Sequence, residues 1–262
     1  MPSIYVTPRG TTMRRTLVSL LDHDPDLGAL LRDEREASAR RDVQVELHEI
    51  AGGNWRPEAH LSASRCAMGL LVISGAVVRE ITVDDQPSAE LLGSGDLIRS
   101  ASQDDPASAG GEVTWTALTP CVICPLDASA TRSIARYPEI MLALMERIEA
   151  RARRLAVTQA ISQMTGVDHR LQTLFWHLAE SWGKVRHDGV LIPLDLSHQL
   201  LGKLVGARRP TVSTALALLA HEQRVTRCPD GSWLLHRTDA RLDEPLEISF
   251  GPQPAAAHRV AA

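Results

Sequence analysis

The spacing of apolar positions changes twice along the chain, and the two changes divide it into parts. Between Met13 and about Asp42 the apolar residues recur with helical spacing, interrupted at Asp24-Pro25. From Val43 to about Leu126 the pattern shortens to runs rich in β-branched residues. These are Val43–Ile50, Gly69–Val78, Glu90–Leu92, Val113–Leu118 and Cys121–Leu126, parted by turn clusters such as Gly52-Gly53-Asn54 and Gly93-Ser94-Gly95-Asp96. Many short strands between glycine-rich turns predict a compact all-β roll or barrel. Residues 1–12 carry Pro and Gly and read as disordered, and the Asp/Ser/Gly stretch Ser102–Gly111 reads as a mobile loop.

Past Leu126 the helical period returns. A short helix is predicted over Ala128–Arg136, and Pro138 falls in the first turn of the next, where its missing N–H costs nothing. Met141, Met145, Ile148, Ala152 and Leu155 then follow four-three spacing, a coiled-coil seam about two heptads long. Run on to Thr165, this helix would be about 40 Å long at 1.5 Å per residue. Its stripe must lie against the chain's own β-domain or against a second copy, and the homodimer is the reading adopted. Arg151, Arg153 and Arg154 sit off the seam as expected solvated flanks. Gly166-Val167-Asp168 reads as a break with a capping residue, and so as a hinge. A further helix from about His169 carries Leu171, Leu174, Phe175 and Leu178 on one face and ends near Gly183; Val190–Pro193 reads as a strand. The predicted divisions are a helical extension (1–42), a β-roll (43–130), a dimerisation helix (131–165), a reading domain (166–240) and a tail (241–262).

The segment with chemistry to offer begins at Ser197, an N-cap candidate. Gly202 lets two helices cross closely, and Gly206, four residues on, suits a tight turn that needs a positive φ. Leu201, Val205, Val212 and Ala215 fall where two such helices pack. Pro210 is tolerated in the first turn of the second helix. Its outer face is left with Arg208, Arg209, Thr211, Ser213 and Thr214, guanidinium and hydroxyl groups that bond phosphates and base edges. A plain αα-hairpin would account for the apolar spacing and Gly206 but not for a helix that opens on two arginines. Val225-Thr226-Arg227 and Trp233-Leu234-Leu235 bracket Pro229-Asp230-Gly231-Ser232, a hairpin with strong turn chemistry. Directly after a recognition helix it forms a wing, from which Arg227 could reach phosphate. The expected contacts to double-stranded DNA are therefore Ser197, Lys203, Arg208, Arg209, Thr211, Ser213, Thr214 and Arg227.

Charge supports that placement. The 262 residues carry a formal net charge of −4, yet Ser197–Arg237 holds six basic against two acidic side chains, a net of +4 that leaves −8 elsewhere. Aromatic residues are only 3% of the chain, so the core must be built of Leu, Val, Ile and Ala. No apolar run approaches a membrane span of about 20 residues, no signal-peptide pattern opens the chain, and four irregularly spaced cysteines fit a reduced, cytoplasmic protein.

A β-roll, a long dimer helix and a winged helix-turn-helix, with the run Leu204-Val-Gly-Ala-Arg-Arg-Pro-Thr-Val-Ser213, resemble the CRP/FNR (cyclic-AMP receptor protein / fumarate-nitrate regulator) family of bacterial transcription factors over about residues 43–237. Leu70–Val78 and Leu91–Leu97 are similar to the family's sensor strands and Gly-x-Gly-Asp turn. The resemblance implies an α+β fold: an N-terminal cyclic-nucleotide-binding-like β-roll, a long dimerisation helix and a C-terminal winged helix-turn-helix. It implies that Arg209 bonds a guanine through O6 and N7. The family often has Glu at the next position, where this chain has Pro210, and its second base-reading Arg is matched by Thr214, so the DNA sequence preference departs from the family's. As a transcription regulator the protein is expected to meet RNA polymerase, with a possible small-molecule effector in the β-roll.

The effector itself is not spelled out. The family's cyclic-nucleotide cassette, Gly-Glu and small apolar residues followed by Arg-Ser/Thr-Ala, has no counterpart after Asp96, and an Asp-rich loop stands in its place. Cyclic AMP is therefore not the expected ligand. An oxygen-sensing iron–sulfur cluster needs four thiolates, and no Cys precedes Cys66. Cys121 and Cys124, three apart on a strand, would face opposite sides of the sheet as core thiols. His48, His60, His169 and His177 form no ligand motif, so no metal and no cofactor are expected. A cupin-like β-barrel enzyme would need clustered His and carboxylate, and catalysis gives no reason for the C-terminal module. No catalytic residue is expected. A constitutive regulator without effector and a non-specific architectural binder remain as alternatives; salt dependence without sequence preference would mark the latter.

Overall fold

The computed structural model describes residues 17–60, 67–99 and 111–236; the expectations for residues 1–12, the loop at 102–110 and the tail at 241–262 lie outside the described residues. One short strand precedes the first period break near Val43. Ahead of it come β1 (Val18–Ser19), α1 (Leu20–His23), a 3₁₀ turn at Pro25–Gly28 and α2 (Asp33–Asp42). The helical pattern read from Met13 thus contains a two-residue strand, because β1 pairs with β2 (Gln44–Val45). The predicted strand Val43–Ile50 is also split, between β2 and β3 (His48–Ile50).

The roll is completed by β4 (Gly53–Trp55), β5 (Gly69–Ser74), β6 (Val77–Val83), β7 (Gln86–Leu92), β8 (Leu97–Ile98), β9 (Glu112–Ala117) and β10 (Cys121–Leu126). They make two four-stranded antiparallel sheets, ordered β3-β10-β5-β8 and β4-β9-β6-β7. Residues of both inner faces meet in one cluster: Leu70, Val72 and Ile123 from the first sheet, Val77, Leu92 and Trp115 from the second. Gly75 turns β5 into β6 at φ +97; a Cβ there would lie 2.5 Å from the Cys121 sulfur, so only glycine fits.

Cys121 packs in this inner cluster, whereas Cys124 packs on the opposite side with Leu20, Leu27 and Leu144, as expected of residues three apart on a strand. Burial, reinforced by Asp127 and Asp24, pushes the Cys124 thiol up to about 12. At pH 8 it is fully protonated and unreactive. Brief treatment of the native protein with iodoacetamide at pH 8 should leave Cys124 unmodified and alkylate half-buried Cys228. Peptide mapping before and after unfolding checks this, and labelling of Cys124 at the Cys228 rate would refute it.

Two helices lead out of the roll. Asp127 caps α3 (Ala128–Ile134), accepting from the amides of Ser129 and Ala130 at 2.8 and 2.9 Å. Pro138 then opens α4 (Pro138–Ser162), which ends three residues short of the expected Thr165. Gly166, at φ +81, separates it from α5 (Val167–Trp182). The cap expected of Asp168 is not formed. Gly166 itself holds the N-cap position without a side-chain bond, and Asp168 lies in the first turn.

The remaining elements form the C-terminal domain: β11 (Lys184–Arg186), β12 (Gly189–Ile192), α6 (His198–Val205), α7 (Arg209–His221), β13 (Val225–Arg227) and β14 (Trp233–His236). Its four-stranded sheet runs β11-β12-β14-β13. The core gathers Leu171, Leu174 and Phe175 of α5, Leu201 and Val205 of α6, Val212 and Leu219 of α7, and Trp233 of the wing. Ala76, Val78, Ala89 and Leu91 of the roll belong to the same apolar cluster. The C-terminal domain is therefore docked on the roll of its own chain rather than tethered beyond a free hinge.

Candidate nucleic-acid interface

The turn between α6 and α7 is built as its sequence requires. Ser197 caps α6, its hydroxyl accepting from the Leu200 amide at 3.1 Å. Gly206 ends the helix in the left-handed region at φ 64, ψ 44. Gly202 touches the far side of the turn; a Cβ there would lie 2.5 Å from the Ala207 carbonyl oxygen, which itself follows from the Ala207 amide bonding Gly202 O at 2.9 Å. These two glycines bring the start of α7 close against α6, with Pro210 in its first turn.

That start is what the domain displays. Arg208 holds the N-cap position, Arg209 is the first helical residue, and both are exposed, as are Thr211 and Thr214. Val212, Ala215, Leu216 and Leu219 take the inner face. The hydroxyls are less free than the sequence suggested. Thr214 bonds back to Pro210 O at 3.3 Å. Ser213 donates to Arg209 O at 3.1 Å and shares a 2.9 Å bond with His198 Nδ1, so it is half-buried in the helix crossing.

The wing comes round to the same side. Arg227 pairs with Asp195 and lies over the Trp233 ring, 5.8 Å from its centroid. His198 stands between the two positive elements. Partial burial, then Arg227, then Arg209 lower its pKa, so the imidazole is neutral at pH 7. Arg208, Arg209, Thr211, Thr214 and Arg227 therefore gather around the exposed start of α7. Lys203 does not join them: it turns toward the roll, where its Nζ lies 2.6 Å from Glu80 Oε2.

The expected dimer seam is exposed over most of its length. Met145 is 61% exposed, Ile148 47% and Leu155 38%, and Ala152 lies open between them. Met141 is the exception, half-buried against the cluster that holds Cys124, Leu20 and Leu144, while its neighbour Leu142 is 48% exposed. The flanking arginines are mostly not solvated, which corrects the sequence-based expectation. Arg147, Arg151 and Arg154 share one face of α4 and grip the roll and N-terminal segment. Arg147 pairs with Asp24 and Arg154 with Asp96. Arg151 bonds both carboxylate oxygens of Glu90, at 2.6 and 2.9 Å, and the Leu97 carbonyl at 2.8 Å. Only Arg153 faces outward, paired with Glu149 at 2.9 Å. The acidic partners lie far away in sequence, so spacing within the helix gave no sign of them.

Two further groupings had no local signal. His48 and His60 meet with their Nδ1 atoms 2.9 Å apart beside Trp55, and burial, then His48, lowers the pKa of His60. Among the described residues, no group of three or more His, Cys, Asp or Glu is placed to hold a metal, and no helix is long and apolar enough to cross a membrane. A cleft of about 470 Å³ lies between roll and C-terminal domain, bordered by Ser74–Ala76, Ser94, Asp96, Arg154, Trp182 and Lys184.

The C-terminal domain is a Crp-like DNA-binding helix-turn-helix, and the whole arrangement of roll, long helix and winged helix-turn-helix is similar to that of known CRP/FNR-type transcription regulators. Residues 169–240 match the model of the Crp-like helix-turn-helix domain. In sequence the chain is 31% identical over 132 residues to the "CRP-like cAMP-activated global transcriptional regulator" of Mycobacterium tuberculosis; the match takes in 50% of this chain and 58% of that protein's length. Two solved structures share the fold, each with a TM-score of 0.57. One is a CooA variant from Carboxydothermus hydrogenoformans, 16% identical and covering 80% of this chain and 90% of its own. The other is FixK2 from Bradyrhizobium japonicum, 14% identical, with coverages of 76% and 96%.

Proposed function

We propose that this protein is a homodimeric, sequence-specific transcription regulator that reads a two-fold palindromic operator through α7. The observation that carries the reading is the exposed double-arginine start of α7, set on a turn that Gly202 and Gly206 hold close. The exposed stripe Met145-Ile148-Ala152-Leu155 supports the dimer, since a long apolar helix face finds its complement in the same face of a second copy. Two recognition helices would then enter successive major grooves about 34 Å apart.

Within this reading Arg209 bonds a guanine edge, while Arg208, Ser197 and Arg227 bond phosphates. Thr211, Ser213 and Thr214 lie along the groove, and Lys203 becomes a phosphate contact once it leaves Glu80. Arg209→Ala should cost about 1–3 kcal/mol of operator affinity and relax discrimination at one base pair. Binding measured on a set of single-base operator variants tests it. Equal loss on every duplex would make Arg209 a phosphate contact and refute base reading there.

His198 adds a pH signature. Partial burial and then two arginines depress its pKa in the free protein, and DNA phosphate brought to the same patch would offset the arginines and raise it. The complex would then hold a proton that the free protein does not, and affinity should increase as pH falls from 7 to 6. His198→Gln should flatten the profile. A wild-type profile as flat as the variant's would show that no phosphate comes near His198.

The M. tuberculosis relative is named as cAMP-activated. Here an Asp-rich run follows Asp96 in place of the cassette that would bind a cyclic nucleotide, which supports an effector other than cyclic AMP. The protein acts in the cytoplasm, performs no catalysis and works with RNA polymerase at its promoters.

A further inference from the structure

Lys203 is the one expected DNA contact that the roll holds. It lies on α6, and the first helix of a helix-turn-helix crosses the DNA backbone, where a lysine meets phosphate. Its side chain is only 16% exposed, with Nζ 2.6 Å from Glu80 Oε2, and Glu80 is itself 27% exposed. Glu80 stands on β6, directly opposite Ala89 of β7. Ala89 and Leu91 of that hairpin line a small space together with Leu204 and Leu174 of the C-terminal domain. The ion pair is thus backed by apolar packing on the same hairpin.

The hairpin is also strongly acidic. Besides Glu80 it carries Asp84 and Asp85 at its tip, both in the left-handed region, and Glu90. Glu90 is neutralised by Arg79 and Arg151, so the charge it presents is that of Glu80, Asp84 and Asp85. A carboxylate on a lysine of the reading domain occupies the place a phosphate oxygen would take, because both offer an anionic oxygen at the same bonding distance.

We propose that Glu80 is an autoinhibitory residue. Its carboxylate holds Lys203 against the roll and must be displaced before Lys203 can bond a DNA phosphate. This rests on the DNA-reading function proposed above and adds its regulation: whatever moves the β6–β7 hairpin away from α6 sets the DNA affinity. Glu80 does not touch DNA, and it acts only through Lys203.

The test is a double-mutant cycle on the full chain, using a duplex that the wild-type protein enriches from a randomised pool. Glu80→Gln should bind that duplex about tenfold more tightly, within the usual range of coupling between two sites. Glu80→Lys, which repels Lys203, should gain at least as much. Thermal melting of each variant confirms that the fold is kept, and if one variant fails to fold the other still decides. With Lys203→Gln in place, Glu80→Gln should change nothing. Two results would overturn the proposal: no tightening in any folded Glu80 variant, or equal tightening with Gln at 203, which would show a general field effect instead of a latch. Failure of the wild type and of both Glu80 variants to enrich any duplex would overturn the DNA-reading function itself, and so is distinguishable from failure of the latch alone.

Discussion

Replacing Met145 and Ile148 together by glutamate should convert the protein to monomers and lower operator affinity by a hundredfold or more. Both side chains project from α4 away from the roll, at 61% and 47% exposure, so the change leaves the chain's own core intact. In a symmetric pair of α4 helices the same two positions would face their counterparts, and four new carboxylates would meet across the seam. A dimer presents its second reading helix at high effective concentration once the first has bound, and that advantage is worth 10²–10⁴ in affinity. Sedimentation equilibrium at micromolar concentration measures the assembly, and titration of the palindromic duplex measures the consequence. A variant that remains dimeric would show that the stripe is not the seam, and the dimer would have to be sought on another surface.

The second large effect concerns the roll. Glu90→Ala should destabilise the protein by about 3–5 kcal/mol, the usual cost of stranding a buried charge. The Glu90 side chain is 7% exposed and neutralises two guanidinium groups, Arg79 at 3.0 Å and Arg151 at 2.6 Å. Removing it leaves both cations in a poorly solvated space, and α4 loses its middle grip on the sheet. Glu90→Leu combined with Arg151→Leu should recover part of the loss, since an apolar pair of similar volume avoids the stranded charge. Urea unfolding of the three proteins checks the order. A single variant within about 1 kcal/mol of wild type, the worth of an exposed pair, would mean that water reaches this cluster.

The reading domain was legible because its signals are local. Ser197, Gly202, Gly206 and Pro210 each meet a backbone demand within a few residues, and Pro229-Asp230-Gly231 encodes the wing turn in three. β9 and β10 were read close to their bounds, whereas Gly69–Val78 ran β5 and the start of β6 together across Gly75, and the two-residue β8 was too short to show a pattern although both its residues are buried. β4 and β11 were missed because Gly53-Asn54 and Lys184-Val-Arg186 are exposed on both faces and so show no alternation. The exposed apolar stripe of α4 was visible in the spacing, yet its arginine stripe was misread. Arginines at a helix surface look the same whether water or a carboxylate receives them, and the carboxylates that do are 58 to 123 residues away. The pairing of Lys203 with Glu80 was illegible for the same reason, since its partner is 123 residues distant. His48 and His60 meet only because β3 and the segment after the Pro57–Ala59 turn fold together.

Arg147, Arg151 and Arg154 recur on one side of α4, and Met145, Ile148, Ala152 and Leu155 on another. The helix is therefore keyed like a shaft, with ionic teeth engaging the roll and apolar teeth left exposed. Both sets of teeth sit on one hydrogen-bonded helix, Pro138–Ser162, so a rotation of that helix imposed at the ionic teeth also turns the apolar ones. If two copies meet on the apolar stripe, a shift in β7, which bears Glu90, or in the turn at Asp96 would re-index the copies against each other and carry both helix-turn-helix domains with it.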